Sequence, residues 1–68
     1  MRCYLRHLKQ AKPTPICHSG GRKWWARRDW SWNDFVRNGI EGQKLLDTGD
    51  AFAIRVVRAA ELEADGGR

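Results

Sequence analysis

Apolar residues recur at helical spacing along much of the chain, and capping or breaking residues separate the stretches. Between Tyr4 and Ala11 the apolar positions Tyr4, Leu5, Leu8 and Ala11 fall three and four apart, which predicts a short amphipathic helix. The residues from Met1 leave room for a short extended segment before it. "KPTP" then stops the helix, because Pro13 and Pro15 fix φ and push their predecessors to extended conformations. Residues 12–18 therefore read as an extended connector.

A second helix is expected through "GGRKWWARR", with Ser19 as its N-cap and an end near Arg28–Asp29. Gly20 and Gly21 weaken its start by about 1 kcal/mol each relative to alanine, while permitting close backbone approach. The stretch "WSWNDFVRNGI" carries denser signals. Ser31 and Asp34 form a capping box that opens a helix at Trp32, and Trp30 with Phe35 has the spacing of a hydrophobic staple. Asn38 ends that helix, Gly39 supplies a left-handed residue, and Ile40 can fold back on Phe35 as in a Schellman ending.

A short helical turn around Lys44–Leu46 follows and stops at Gly49. Thr48 or Asp50 then caps a last helix that runs to about Ala64. Its apolar stripe is Phe52, Ala53, Val56, Val57 and Ala60, with Arg55, Arg58, Glu61 and Glu63 turned outward. Residues 65–68 read as a frayed tail. The predicted architecture is all-α: one small domain over residues 1–68, a compact bundle of about four short helices.

Size sharpens this picture. A chain of 68 residues buries only roughly 60% of the surface its unfolded form exposes, so its core is marginal without a staple, a metal, unusual packing or a partner. Trp24, Trp25, Trp30 and Trp32 offer one compensation, since each can bury on the order of 150–250 Å². No stretch approaches the ~18 apolar residues of a membrane span. "MRCYLRHLKQ" has basic residues without the apolar run of a secretory signal. A soluble protein made in a reducing compartment is expected.

Charge is unevenly spread. Of the formal +5, residues 1–34 contribute eight Lys/Arg against two Asp, and residues 35–68 contribute five against six acidic side chains. A basic half and a near-neutral half suit a face for an acidic partner, either nucleic acid or protein, and equally suit head-to-tail contact between identical subunits.

Little here converges for catalysis, and no enzyme is expected. His7 and His18 lie in no nucleophile or metalloprotease motif. Cys3, His7, Cys17 and His18 invite a zinc reading, but Cys17 and His18 are adjacent and the chain has neither C-x-x-C nor a spaced histidine pair. Free cysteines, no metal and no cofactor are the expectation. The strongest candidate is the basic-aromatic segment Arg22, Lys23, Trp24, Trp25, Arg27 and Arg28. Its cations suit phosphates or carboxylates, and tryptophan and arginine are the residues enriched in interface hot spots. Trp24 and Trp25 sit about 100° apart on a helix, so one can enter the core while the other anchors a partner from the rim. The helix–turn–helix outline of residues 20–38 also suggests DNA binding. The second helix is a poor reader, since Trp32, Phe35 and Val36 should face the core and leave only Asn33, Arg37 and Asn38 for bases.

Residues 16–60 resemble a class of very small proteins encoded by tailed phages and prophages. The resemblance rests on Cys17, Gly20, Arg22, Trp24, Trp25, Trp32, Phe35, Arg37, Gly39, Ile40, Thr48, Gly49 and Asp50. Relatives of that class usually carry glycine where this chain has Asp29, and "KPTPI" departs from them. The resemblance implies a virion structural component or assembly adaptor, favouring the tail or tail tip, made in the host cytoplasm and docked on larger phage structural proteins in a symmetric assembly. The alternatives are a small nucleic-acid-binding regulator and a host-targeting phage protein.

Overall fold

The computed structural model describes residues 1–66. Among them are five helices and one two-stranded antiparallel ribbon, in the order β1 (Arg2–Cys3), α1 (Leu5–Lys9), α2 (His18–Arg27), α3 (Trp32–Asn38), β2 (Ile40–Glu41), α4 (Gly42–Leu46) and α5 (Ala51–Gly66). The chain is mostly helical without being a pure four-helix bundle. The extended start at Met1 becomes β1, and it pairs Arg2 with Glu41 and Cys3 with Ile40. A partner for that strand could not be anticipated, because β2 is two residues long, too short for a period-two pattern to stand out.

The ribbon changes how α3 ends. Gly39 has φ 77 and its N–H donates to the Phe35 carbonyl at 2.8 Å, but its ψ of −172 sends the chain straight into β2. A Cβ there would lie 2.7 Å from the Cys3 carbonyl oxygen and from the Tyr4 ring, so glycine serves both the left-handed φ and the approach of β1. The Schellman ending expected here belongs instead to α2. Asp29 stands at φ 59, its N–H donates to the Ala26 carbonyl at 3.1 Å, and the Trp30 N–H reaches the Trp25 carbonyl at 3.3 Å. The accompanying apolar contact is Trp30 edge-on to Trp25, with ring centroids 5.8 Å apart. The predicted staple of Trp30 on Phe35 is replaced by this packing, with Trp25 lying against both rings.

Other caps differ in detail. Cys17, not Ser19, is the N-cap of α2, its Sγ accepting the Gly20 N–H at 3.3 Å. Ser31 does cap α3 through the Asp34 N–H at 3.1 Å, while the Asp34 carboxylate turns to Asn38 rather than closing the box. Thr48 closes α4 by donating to the Leu45 carbonyl, and Asp50 caps α5 by accepting the Phe52 N–H at 2.9 Å. α5 continues past Ala64 to Gly66, so residues 65 and 66 of the expected frayed tail are helical; its last two residues lie outside the described ones.

Two side chains expected to face solvent from α5 hold the chain's first half in place. Arg55 donates to the carbonyls of Lys12 and Thr14, fixing the connector. Glu63 accepts from Arg6 Nε at 2.8 Å, Arg6 Nη2 at 2.9 Å and Gln10 at 3.3 Å, and lies 2.8 Å from His7 Nε2. His7 is buried, and its Nδ1 accepts the Tyr4 N–H at 2.8 Å. That bond assigns the neutral ring's hydrogen to Nε2, which therefore donates to Glu63. Val36, expected in the core, is exposed on α3.

Candidate interaction surface

The site begins with a rule of helix geometry. Five residues of α2 (Ser19, Arg22, Lys23, Ala26 and Arg27) repeat at three- and four-residue intervals, and all five are exposed. The opposite face, Gly21, Trp24 and Trp25, is buried. The exposed stripe is thus three cations set among two small residues on a ten-residue helix.

Neither Trp24 nor Trp25 lies at the rim. They are 4% and 1% exposed, which corrects the expectation that one of them anchors a partner. The 100° between them is absorbed because α2 has neighbours on two sides. Trp25 stacks on Phe35 at 4.2 Å and meets Trp32 edge-on at 5.6 Å, on the α3 side. Trp24 stacks on Phe52 at 4.5 Å at the start of α5, and its Nε1–H donates to Asp50 Oδ2 at 3.1 Å. The indole donor is thereby satisfied, as a buried tryptophan requires.

The basic candidates divide in two. Arg28 is half-buried and committed: its guanidinium lies 4.6 Å above the Trp24 ring and 3.3 Å from Asp50 Oδ2. The backbone N–H of Phe52, the Trp24 indole and Arg28, in that order, hold the Asp50 carboxyl below its usual range. Trp24, Arg27, Arg28 and Asp50 line an open hollow of about 280 Å³. Arg22, Lys23 and Arg27 have no ion-pair or hydrogen-bond partner among the described residues, in contrast to Arg2, Arg6, Arg28 and Arg55. Three charges left free on one face are available to something outside the chain.

A second concavity, missed by reading the sequence, opens at the end of α2. It has a volume of about 240 Å³ and is lined by Trp25, Trp30 and Phe35, by the carboxylates Asp29 and Asp34, and by Lys44. The Lys44 ammonium sits 4.9 Å from the centroid of the half-buried Trp30 ring. Its residues come from the α2–α3 turn, α3 and α4, so no local pattern announces it. The clue in the sequence is an aspartate, Asp29, at the left-handed turn position.

The Cys/His set does not converge. Cys3 is buried, where burial pushes its thiol up to about 11, whereas Cys17 is exposed at the α2 N-cap. Both ring nitrogens of His7 are engaged by Tyr4 and Glu63. No helix among the described residues is long and apolar enough to cross a membrane. No protein-family model, curated protein or solved structure matches the chain.

Proposed function

We propose that this protein is a small, non-catalytic virion component or assembly adaptor of a tailed phage, docking on an acidic surface of a larger structural protein through the exposed face of α2. The observation that carries the binding reading is the set of three cations, Arg22, Lys23 and Arg27, on one helix face without counter-charges among the described residues. The helix sets their spacing, and the small side chains of Ser19 and Ala26 lie between them. The phage context comes from the sequence resemblance of residues 16–60.

Burial of Trp24 and Trp25, the two tryptophans carried by α2 itself, favours protein over single-stranded nucleic acid as the partner of that helix. Base stacking needs an exposed aromatic platform, and Trp24 and Trp25 do not supply one. The test is quantitative mass spectrometry of purified particles of the encoding phage, with wild-type protein and with the triple variant Arg22→Glu/Lys23→Glu/Arg27→Glu. Stoichiometric wild-type protein and loss of the triple variant, at unchanged thermal stability, is the expected result. Absence of the wild-type protein from particles would overturn the reading. DNA affinity falling steeply with salt would then support the regulator, and capture of a host protein the host-targeting alternative.

A further inference from the structure

We infer that the concavity at the end of α2 is a receptor for an arginine side chain presented by the protein partner. The partner as the arginine's source rests on the reading above; the pocket itself does not. Trp30 forms one wall, and its ring already carries a cation, the Lys44 ammonium at 4.9 Å. An indole face that draws an internal ammonium is a face on which a guanidinium stacks, and arginine favours such contacts more than lysine does. Asp29 and Asp34 are among the residues lining the same hollow; neither carboxylate has an ion-pair partner among the described residues, and Asp34 Oδ1 accepts the Asn38 amide at 2.9 Å. Two carboxylates against one ammonium leave the pocket net negative in a chain whose formal charge is +5.

The fit is chemical as well as electrostatic. A planar guanidinium can lie on the indole while its N–H fork meets a carboxylate, a geometry an ammonium cannot reproduce. Lys44 acts as a placeholder that keeps the ring covered until an arginine displaces it. Asp29 adds a second argument. Its φ of 59 is a conformation glycine would adopt without strain, so aspartate places a charge on the rim at a conformational cost. The same partner would thus meet cations on the α2 stripe and offer one in return.

The test is an NMR titration of the folded protein with N-acetyl-argininamide, following the Trp30 indole N–H, with the neutral isostere N-acetyl-citrullinamide as control. The expected result is a saturable shift with Kd on the order of millimolar, as befits one side chain, and no saturable response to the citrulline probe. Lys44→Met, which removes the competitor, should tighten binding about two- to fivefold, and Asp29→Asn should weaken it by a similar factor. No saturable Trp30 shift, an equal response to the citrulline probe, or an unchanged affinity in Lys44→Met would each overturn the assignment. None of these outcomes touches Arg22, Lys23 or Arg27, so failure here is distinct from failure of the docking face.

Discussion

Gly20 and Gly21 are neighbours in one helix, yet replacing each with alanine should have opposite effects. Gly20 is exposed, and a Cβ there would meet only the Cys17 Sγ, at 3.4 Å. Gly20→Ala should therefore keep the propensity gain, up to ~1 kcal/mol, which in a domain of this size raises Tm by about 4–8 °C. Gly21 faces the core. Its Cβ would stand 2.6 Å from Leu8 Cδ2 and 3.3 Å from the Trp32 ring. Leu8 is fully enclosed and cannot swing aside without disturbing its neighbours. Overpacking of this kind costs ~1–3 kcal/mol, against the same ~1 kcal/mol propensity gain, so Gly21→Ala should lose on the order of 1 kcal/mol. Thermal and urea unfolding of the two variants measures both signs. A third variant assigns the cause: in a Leu8→Val background, which removes bulk at the clash, the Gly21→Ala penalty should shrink by on the order of 1 kcal/mol in a double-mutant cycle. If Gly21→Ala proves as stable as Gly20→Ala, or its penalty is the same in the Leu8→Val background, the close approach of α2 to α1 is not what requires glycine.

Trp25→Ala should cost about 3–5 kcal/mol, a large part of the roughly 3–10 kcal/mol that a chain this size holds in total; circular dichroism should show loss of fold, and a folded variant impaired only in binding would revive the anchor role. Glu63 is held well below the usual carboxylate range by Arg6 first and His7 next. The stability this provides is complete above the unfolded value of 4.5 and fades as pH falls through the range below it. Unfolding followed from about pH 6 to about pH 2 should thus show a weaker acid dependence in Glu63→Gln, with an unchanged slope counting against the clamp. In the native protein iodoacetamide should label Cys17, while the buried Cys3, whose thiol is raised to about 11, reacts only after unfolding; equal labelling of both would contradict its burial.

The elements that could be read from sequence are those whose causes are local. α3 runs over Trp32–Asn38 as expected because Ser31 and Gly39 lie within a turn of its ends. The α5 stripe Ala53, Val56, Val57 and Ala60 is buried as its spacing requires. What could not be read depends on residues far apart along the chain. Glu63 looks like any solvated glutamate of a terminal helix until Arg6, His7 and Gln10 are brought to it. Ser19 is the better cap by propensity, but the extended backbone of Cys17, φ −72 and ψ 154, starts the helix two residues earlier. Conformational preference puts left-handed residues at glycines, and at the end of α2 an aspartate fills that place. The arginines of the candidate surface were legible as a cluster, whereas the commitment of Arg28 to Asp50 and Trp24 needed the docking of α2 against α5.

The two faces of α2 explain each other. A small domain must draw most of its apolar burial from few residues, and here Trp24 and Trp25 both go inward, where Phe52 and Phe35 stack on them. Any tryptophan diverted to the rim as a partner anchor would remove roughly 150–250 Å² from a core that has little to spare. The helix can therefore present only side chains whose removal from the core costs nothing. Ser19, Arg22, Lys23, Ala26 and Arg27 are such residues. Docking through them, as proposed, would be electrostatic and long in reach, so it would favour fast, salt-sensitive encounter over tight burial. An apolar contribution to binding would then come from outside that stripe. Trp30 is half-buried at the end of the same helix, in a hollow with two carboxylates. There the indole packs against Trp24 and Trp25 and still meets the Lys44 ammonium at 4.9 Å, the contact that a partner's arginine is proposed to replace.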